Sequence, residues 1–319
     1  MDTVIEMKNI RKEFTNVLAL DNVDFSVSRG EVHALIGENG AGKSTLMSIL
    51  FGVFEKDQGE ILINGENTKI SDASKAIELG IGMVHQEFML SQEMTVLENI
   101  ILGFEPQNKS VIDYKQAYGK INKLSKKYNL EVNPEQRVIN ISVGQAQRVE
   151  ILKSLYRGVE YLIMDEPTAV LTPQETKELF NIIRSLKEDG KTIIFISHKL
   201  DEVMEIADRM TILRNGKVID TITNQEASKK KLANLMVGRD VFLDFSPEEV
   251  ETGDKILELK NVSARGKREL SHLDDISLEV KKGEILGIAG VDGNGQSELV
   301  EVISGLRDID TGEIYLNNE

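Results

Sequence analysis

The chain has 319 residues, of which 40% are hydrophobic and none is cysteine, and its formal net charge is −15. This acidic balance disfavours a general nucleic-acid binder, and the lack of cysteine excludes disulfides, thiol catalysis and zinc–thiolate sites. No segment is typical of a signal peptide, and no apolar run approaches the roughly 18 residues that cross a bilayer. We therefore expect a cytosolic α/β protein of one or two domains that serves a membrane only through a partner.

The first predicted elements surround a glycine-rich loop. Val4–Ile10 and Val23–Ser28 alternate with a period of about two, which predicts strands. The apolar run Glu31–Ile36 predicts a buried strand, and Leu46–Phe51 predicts a helix. Between that strand and that helix, residues 37–45 fit the pattern G-x-x-x-x-G-K-[ST] of a phosphate-binding loop, the Walker A motif.

The residue types of this loop suit a polyphosphate. The loop consists of Gly37, Glu38, Asn39, Gly40, Ala41, Gly42, Lys43, Ser44 and Thr45. Its glycines let consecutive backbone N–H groups point inward, and the following helix adds the positive end of its dipole. Lys43 supplies a mobile charge for the β- and γ-phosphates, and the Ser44 hydroxyl is a hard oxygen ligand for Mg²⁺. The alternative is a glycine-rich turn with a solvated lysine, which the strand–loop–helix setting disfavours.

Beyond the loop, strands and helices continue to alternate. The predicted strands are Gly59–Gly65, Ile81–Val84, Tyr161–Met164, Thr192–Ile196, and the arms Met210–Arg214 and Lys217–Thr221 of a hairpin closed by Asn215-Gly216. The predicted helices are Thr95–Leu102, Asp113–Asn129, one that opens at Ser142, and one capped by Thr172 with Pro173 at its first position. The alternation predicts a layered sheet with helices on its faces.

Several single residues are candidates for nucleotide chemistry. An apolar strand ends in Asp165 and Glu166, where one carboxylate can hold Mg²⁺ and the next can polarise a water. Gln86 follows a strand and can place its amide near a metal or a water, and His198 stands at the end of a buried strand and could face a γ-phosphate. Phe14 could stack on adenine. Taken alone, each has an ordinary alternative, namely solvated acids, a surface amide or a core aromatic ring.

A predicted helix start carries a further candidate. Ser142, Gly144 and Gln145 place a hydroxyl, a glycine N–H and an amide at the first turn, which suits an anion. The alternative is an ordinary helix start, and the segment alone favours that alternative.

The chain repeats itself after a predicted linker. Residues 241–253 are predicted to form the linker because they contain Ser-Pro and a run of acids. Residues 30–64 then match residues 283–317 at a constant offset of 253 positions. A repeat of this length indicates two copies of one domain, here 1–240 and 254–319. We expect the chain to be a piece of a longer tandem protein.

Together these stretches resemble the ATP-binding cassette (ABC) ATPases. The motifs stand in the family's order: Phe14, the loop 37–45, Gln86, the signature segment Ser142-Val143-Gly144-Gln145, Asp165-Glu166 and His198. The resemblance covers residues 1–240 as a full cassette and 254–319 as a partial one. It implies a P-loop NTPase fold of ABC type, with a layered mixed α/β sheet and a helical subdomain at about 87–157.

The resemblance implies ATP and Mg²⁺ as ligands and assigns binding roles. Phe14 stacks on the adenine, and residues 37–45 hold the phosphates. The residues that arrange Mg²⁺ are Ser44, Gln86 and Asp165.

The resemblance also implies how hydrolysis proceeds. Glu166 polarises the attacking water, His198 touches the γ-phosphate, and Lys43 screens its charge. The signature segment of one cassette caps the γ-phosphate held by the other, through Ser142, Gly144 and Gln145 in this chain.

The closer likeness is to the tandem cassettes of sugar and nucleoside importers. Residues 142–156 and 165–175 look like the nucleoside-importer branch. This likeness implies integral-membrane permease subunits as partners, met by the largely helical segment between Gln86 and Ser142, and through them a solute-binding protein. It also implies a second cassette in the same full-length chain and a peripheral location on the cytoplasmic face of the cell membrane.

The second loop, residues 290–297, lacks a charge that the first loop has. Gln296 stands where Lys43 stands in the first copy, and a neutral amide cannot screen the β- and γ-phosphates. No aromatic residue aligns with Phe14, because Arg265-Gly266 occupy that region. We predict that this second site binds nucleotide weakly and hydrolyses it poorly.

Two other classes of protein remain as alternatives. A soluble tandem cassette that acts on ribosomes or DNA usually keeps both loops intact and has a long charged helical linker. Gln296 and the short linker 241–253 argue against that class. A non-catalytic nucleotide-binding module is disfavoured because Glu166 and His198 are both present.

Overall fold

The computed structural model describes residues 2–108, 111–239, 252–265, 272–290 and 294–317. Within the chain, contacts fall into two compact units, Met1–Leu243 and Asp244–Glu319, and each is described by itself. Most of the predicted linker 241–253, and residues 291–293 of the second loop, lie outside the described residues.

The first unit alternates strands and helices along the chain. Its strands are β1 (Thr3–Phe14), β2 (Val17–Ser28), β3 (Val32–Ile36), β4 (Gln58–Ile63), β5 (Glu66–Asn67), β6 (Ile81–Val84), β7 (Gln107–Asn108), β8 (Val111–Ile112), β9 (Tyr161–Asp165), β10 (Thr192–Ile196), β11 (Arg209–Arg214) and β12 (Lys217–Thr223). Its α-helices are α1 (Lys43–Leu50), α2 (Ala73–Glu78), α3 (Val96–Ile101), α4 (Tyr114–Tyr128), α5 (Val143–Tyr156), α6 (Pro173–Glu188), α7 (Leu200–Ile206) and α8 (Lys229–Val237).

The central sheet of the first unit is mainly parallel. Its strand order is β12-β11-β3-β10-β9-β6, and all pairs are parallel except β11 with β12. Every residue of β3, β9 and β10 is buried, as continuous apolar strands in a parallel sheet should be. The carboxyl ends of β3, β9 and β10 therefore meet at one edge of this sheet.

Apolar cores cover both faces of the central sheet. Ala34 and Ile36 of β3 pack with side chains of α3 to α6, whereas Leu35 between them packs with α1 and β1. This alternation follows from the two-residue period of a strand. The second core also contains the antiparallel sheet β2-β1-β4-β5. The layered mixed α/β fold predicted from the sequence is confirmed.

The predicted helix starts are also confirmed. The N-caps of α3, α4, α5 and α6 are Thr95, Asp113, Ser142 and Thr172, and each side chain accepts a backbone N–H from the first turn. In α3, α5 and α6 the third helical residue also bonds back to the cap, which completes a capping box.

The described part of the second unit repeats the start of the first. Its elements are β13 (Lys255–Arg265), β14 (His272–Lys281), α9 (Gln296–Ile303) and β15 (Thr311–Leu316). The first and last residues of α9 lie 253 positions after those of α1, and the first and last residues of β15 lie 253 positions after those of β4. Gly59 and Gly312, which share that offset, have φ angles of 97° and 94°. The repeat therefore extends to backbone conformation.

One segment of the repeat has a different structure in the second unit. Residues 285–289, which match β3, form no strand, and Ile285 is 98% exposed. In the first unit β3 is held between β10 and β11, both far along the chain. The described residues of the second unit contain no counterpart of those two strands, so residues 285–289 have no neighbouring strands with which to pair.

Candidate functional site

The loop after β3 forms a backbone cradle. Gly40 and Gly42 have φ angles of 82° and 103°, which favour glycine. At Gly37 a Cβ atom would lie 2.1 Å from the carbonyl oxygen of Leu213, so only glycine fits against β11. α1 begins at Lys43 without a side-chain cap, so its first N–H groups remain available to an anion.

Lys43 lies folded over this loop. Its Nζ donates hydrogen bonds to the carbonyl oxygens of Gly37 (2.8 Å) and Glu38 (3.0 Å). Burial lowers the pKa of Lys43, while Glu166 and Asp165 oppose that shift. The ammonium group thus stands in a poorly solvated place where a polyphosphate would satisfy it better than two neutral carbonyls do.

Asp165 and Ser44 form a pair of oxygen donors beside the loop. Asp165 ends β9, is buried, and is hydrogen-bonded by the Ser44 side chain. Burial and the charge of Glu166 raise the pKa of Asp165, against the opposing effects of Ser44 and Lys43. In the described part of the chain, no three His, Asp or Glu residues cluster as a metal site. One carboxylate, one hydroxyl and phosphate oxygens are nevertheless a donor set that Mg²⁺ accepts, so the residues fit this ion.

Glu166 has a backbone conformation that is rare for its residue type. Its φ is 46°, in the left-handed region, and its N–H donates to the carbonyl of Ile196 at 3.0 Å. His198, which follows β10, places Nδ1 2.9 Å from Oε1 of Glu166. The sharp bend after β9 lets Glu166 line the pocket beside the loop. Backbone strain of this kind persists where surrounding structure fixes it, as the bond to Ile196 does here.

An open pocket of about 700 Å³ joins these groups. The lining residues that the sequence itself predicts as site residues are Phe14, Asn39, Gly40, Ala41, Gly42, Lys43, Ser44, Thr45, Gln86 and Glu166. Asp165, Gly37 and Glu38 adjoin it through the contacts of Ser44 and Lys43 described above. The size and the mixture of apolar and polar walls suit a small-molecule ligand.

Part of the pocket wall was not predicted from the sequence. Val17, Leu18 and Ala19 line it beside Phe14, and the hairpin tip Asn215-Gly216 lines it next to Ala19. Gly216 donates to the Ala41 carbonyl at 3.1 Å, and a Cβ on it would lie 2.7 Å from the Ala19 carbonyl. The Asn-Gly pair predicted the turn, but no local signal indicated what the turn would touch.

The signature segment stands apart from this pocket. Ser142 and Gln145 form the capping box of α5, with bonds of 3.0 and 3.3 Å, and neither they nor Gly144 lines the pocket. Val143 beside them is exposed. The structure of the first unit therefore brings together the loop, Asp165, Glu166 and His198, but not Ser142, Gly144 and Gln145.

The second loop matches the first where it enters its helix. Gly295 has a φ of 96° and precedes α9, as Gly42 precedes α1. The Nε2 atom of Gln296 lies 2.2 Å from where a Cβ on Gly290 would be. The amide therefore covers its loop much as Lys43 covers Gly37, but it carries no charge.

No described helix is both long and apolar enough to span a bilayer.

A family model described as "ABC transporter" matches residues 20–169 and 273–319. The guanosine import ATP-binding protein NupO of Bacillus subtilis is 51% identical over 319 residues, covering 100% of this chain and 62% of its own length. The nucleoside import ATP-binding protein NupA of Lactococcus lactis is 49% identical, with 100% and 63% covered.

A sugar importer and solved structures are also similar. The xylose import ATP-binding protein XylG of Thermoanaerobacter pseudethanolicus is 44% identical, with 99% of this chain and 64% of its own length covered. The chain thus spans about 62% of the length of the first relatives it matches. The ADP conformation of MJ1267, an ATP-binding cassette of an ABC transporter, superimposes with a TM-score of 0.65 at 28% identity, covering 75% of this chain and all of that one. The chain belongs to the ABC transporter ATP-binding family.

Proposed function

We propose that the first unit binds and hydrolyses ATP to power import of a nucleoside through a membrane permease. The observation that carries this proposal is the convergence of Lys43, Asp165 and Glu166 at one edge of the sheet. These three residues come from two separate strand ends. Their meeting beside a glycine cradle supports a site built for a triphosphate and its metal.

The phosphate end of the site has a distinct role for each group. Lys43 exchanges its carbonyl partners for the β- and γ-phosphates and screens their charge. Ser44 and Asp165 would hold Mg²⁺, and Gln86 on the pocket wall would be a further oxygen donor. Bound Mg²⁺ supplies charge neutralisation at the phosphate oxygens. Burial raises the pKa of Asp165 and so disfavours its ionised form, and a cation held beside this carboxyl would counteract that effect.

Glu166 is the group best placed to act on water. Its carboxylate lines the pocket, and its left-handed backbone holds it at the end of β9. It orients a water for attack on the γ-phosphate and accepts the proton. His198 Nδ1 lies 2.9 Å from this carboxylate. A neutral imidazole carries one N–H, so it donates to Glu166 with the proton on Nδ1 and can donate to the γ-phosphate with the proton on Nε2.

Nucleoside import is proposed because the two relatives near 50% identity are named for guanosine and nucleoside import. The solute itself would be recognised by a solute-binding protein and by the permease. We propose that permease subunits contact the segment between Gln86 and Ser142, where Met89, Leu102 and Val111 are exposed. Exposed apolar side chains on one segment are typical of a protein contact. The chain would then lie on the cytoplasmic face of the membrane as a peripheral subunit.

We further propose an unequal pair of cassettes, with residues 254–319 as the N-terminal part of the second. Gln296 leaves the second loop without the charge that Lys43 gives the first. In such a pair, the signature segment at Ser142 would cap the second site, and the second cassette would supply the cap for the first.

The test is co-purification and uptake. The full-length protein, tagged in the cell that encodes it, should purify from detergent extracts with an integral-membrane permease. Uptake of labelled guanosine should be lost in a Lys43→Ala strain and retained in a Gln296→Ala strain. Purification with ribosomes, or guanosine uptake that does not depend on Lys43, would overturn the proposal.

A further inference from the structure

The ring of Phe14 is itself held by two other side chains. Phe54 meets it edge-on, with ring centroids 5.2 Å apart and an interplanar angle of 73°. The Nζ of Lys12 lies 5.3 Å from the centre of the same ring. Both geometries are favourable for an aromatic quadrupole. The contacts matter because Phe14 lines the pocket proposed to bind ATP, and the resemblance to ABC ATPases implies that its ring stacks on the adenine base.

A carboxylate fixes the strand end that carries this ring. Asp57 accepts a hydrogen bond from Lys12 Nζ at 2.9 Å and another from the backbone N–H of Glu13 at 2.7 Å. Its own N–H donates to the carbonyl of Arg11 at 2.9 Å. The loop containing Phe54 and Asp57 is therefore clamped to the last residues of β1.

The same loop is rigidly joined to the phosphate end of the site. It follows α1, which begins at Lys43, and the N–H groups of Val53 and Phe54 both donate to the carbonyl of Ser48, at 2.8 and 3.3 Å. Gly52, with a φ of 77°, allows the chain to turn there against the backbone of Asp72, 2.5 Å from where a Cβ would be. One helix therefore sets both the phosphate cradle and the support of the Phe14 ring.

The second unit provides an internal comparison, because it keeps the clamp and loses the ring contacts. Asp310 occupies the position of Asp57, accepts from the N–H of Arg265 at 2.9 Å, and donates to the Ser263 carbonyl at 2.8 Å. The positions of Phe54 and Lys12 are taken by Arg307 and Ala264.

Arg307 makes polar contacts in place of an aromatic pair. Its Nε lies 2.8 Å from a carboxylate oxygen of Glu301, and its Nη1 donates to the Arg265 carbonyl at 2.5 Å. The carboxylate clamp is thus common to both copies and maintains the fold. The phenyl ring of Phe54 and the ammonium group of Lys12 are present only in the copy that has Lys43. Because the second copy keeps the clamp without them, we associate these two side chains with the nucleotide site and not with maintenance of the fold.

We propose that Phe54 and Lys12 are positioning residues for base binding: they hold the Phe14 ring against a purine, and the described residues of the second unit form no such platform. This inference rests on the proposed function, since it concerns the base of the nucleotide that the first unit would bind.

The test compares a ligand that has a base with one that has none. Calorimetric titrations of the 319-residue chain in Mg²⁺ use ATP and inorganic tripolyphosphate, which shares only the phosphate cradle. Phe54→Leu should weaken ATP binding roughly two- to tenfold, the range expected for an aromatic pair, and leave tripolyphosphate binding unchanged. Phe54→Tyr keeps the ring and should bind both ligands as the parent does. Val53→Ala, an exposed position in the same turn, is the matched control.

Lys12→Met provides a second variant should Phe54→Leu fold poorly, as judged by thermal unfolding. It should weaken ATP binding roughly two- to fivefold and leave tripolyphosphate binding unchanged. Equal weakening of both ligands, or no weakening of ATP binding, would overturn the role of these residues. A parent chain that binds neither ligand would instead overturn the proposed function together with this inference.

Discussion

At the scale of single residues, Glu166 differs most from what its sequence position predicts. The apolar run before it predicted a strand that ends in two acids, and β9 ends there. A φ of 46° at a glutamate has no local sequence signal, because the bond that stabilises it comes from Ile196 on a neighbouring strand. Long-range contacts of this kind cannot be predicted from the local pattern, although the candidate residue itself could be.

Removing the charge of Glu166 should separate binding from hydrolysis. We predict that Glu166→Gln retains ATP but loses turnover by a factor on the order of 10² to 10⁴, because the amide cannot accept a proton. Phosphate release by the full-length protein in its transport complex, together with the amount of ATP retained, measures this. Glu160→Gln alters an exposed glutamate at the other end of the strand and is the control. Parental turnover in Glu166→Gln would remove this residue from the role of base.

A buried histidine makes the first unit sensitive to acid. His33 lies within β3, with Nδ1 3.1 Å from Glu31 and Nε2 2.8 Å from Thr211 Oγ1. Burial lowers the pKa of His33 from its ordinary 6.5. Burial also raises the pKa of Glu31, but hydrogen bonds from His33 and Ser28 outweigh that effect and hold this pKa below 4.5.

Both shifts predict a loss of stability in acid. At His33 the unfolded chain binds a proton more readily than the folded chain does. The contribution of neutral His33 to the free energy of unfolding is therefore fully present above pH 6.5, and it is lost as the pH falls from 6.5 towards the pKa of folded His33. Glu31 adds a second loss below pH 4.5. Urea unfolding from pH 7.5 to pH 4 measures the slope. The slope between pH 6.5 and 5 should flatten in His33→Gln and persist in His198→Gln, and an equal slope in both variants would contradict the assignment.

At the scale of secondary-structure elements, α6 connects the chain after Glu166 to α4 and to α5, which begins with the signature segment. It begins a few residues after Glu166. Arg148 of α5 lies 2.5 Å from Glu178, and Lys127 of α4 lies 2.6 Å from Asp189 at the C-cap of α6. Polar contacts at both ends thus connect α6 to α4 and α5, which gives a physical route from the site towards the proposed permease-contacting segment.

The glycine of the signature segment lies close to the first turn of α6. A Cβ on Gly144 would lie 2.3 Å from Oε1 of Glu175. The other oxygen of Glu175 accepts 2.9 Å hydrogen bonds from the Thr172 N–H and hydroxyl, which form the α6 capping box. A methyl group at position 144 would therefore disturb the start of α6.

Two glycine-to-alanine variants test this contact. Gly119 lies in α4 with open space around it, so Gly119→Ala should stabilise the fold by about 0.5–1 kcal/mol. Gly144→Ala should instead be less stable than Gly119→Ala by about 1 kcal/mol or more, because it displaces a helix cap. Urea unfolding measures both variants. In a Glu175→Ala background the difference should shrink, and a difference that persists unchanged would show that the crowding lies elsewhere.

Elements with strong local signals were predictable, and weak ones were not. The buried strands β6 and β10 and the capped helices α3 to α6 agree with their sequence patterns because long apolar runs and capping residues act locally. The short helices α2, α7 and α8 were not predicted. α7 has seven residues and no side-chain cap, so its formation depends on tertiary packing.

At the scale of the whole molecule, the two units differ in the size of their cores. Both large apolar clusters lie within the first unit, whereas the cluster in the described part of the second contains only the buried residues Leu259, Val262, Ala264, Leu273, Leu299 and Val302. A small core offsets the conformational entropy of its chain only marginally. The stability of the chain is therefore concentrated in the first unit.

A fragment of residues 1–240 should fold alone and bind ATP with the affinity of the 319-residue chain. Its two large apolar cores and all the residues that line its pocket lie within that range. A fragment of residues 253–319 should unfold at much lower urea concentration. Circular dichroism and ATP titration measure the two fragments. An unfolded 1–240 fragment would contradict the independence of the first unit.

Lys43 and Gln296 take the same position in the two loops, each directly after a glycine with a φ near 100°, and differ in charge. ATP binding to the 319-residue chain in Mg²⁺, compared between Lys43→Ala and Gln296→Ala, tests this difference most directly. We predict that Lys43→Ala weakens binding about 10- to 100-fold, as expected for lost hydrogen bonds to a charged partner, and that Gln296→Ala binds as the parent does. Equal losses in the two variants, or a loss confined to Gln296→Ala, would contradict the account.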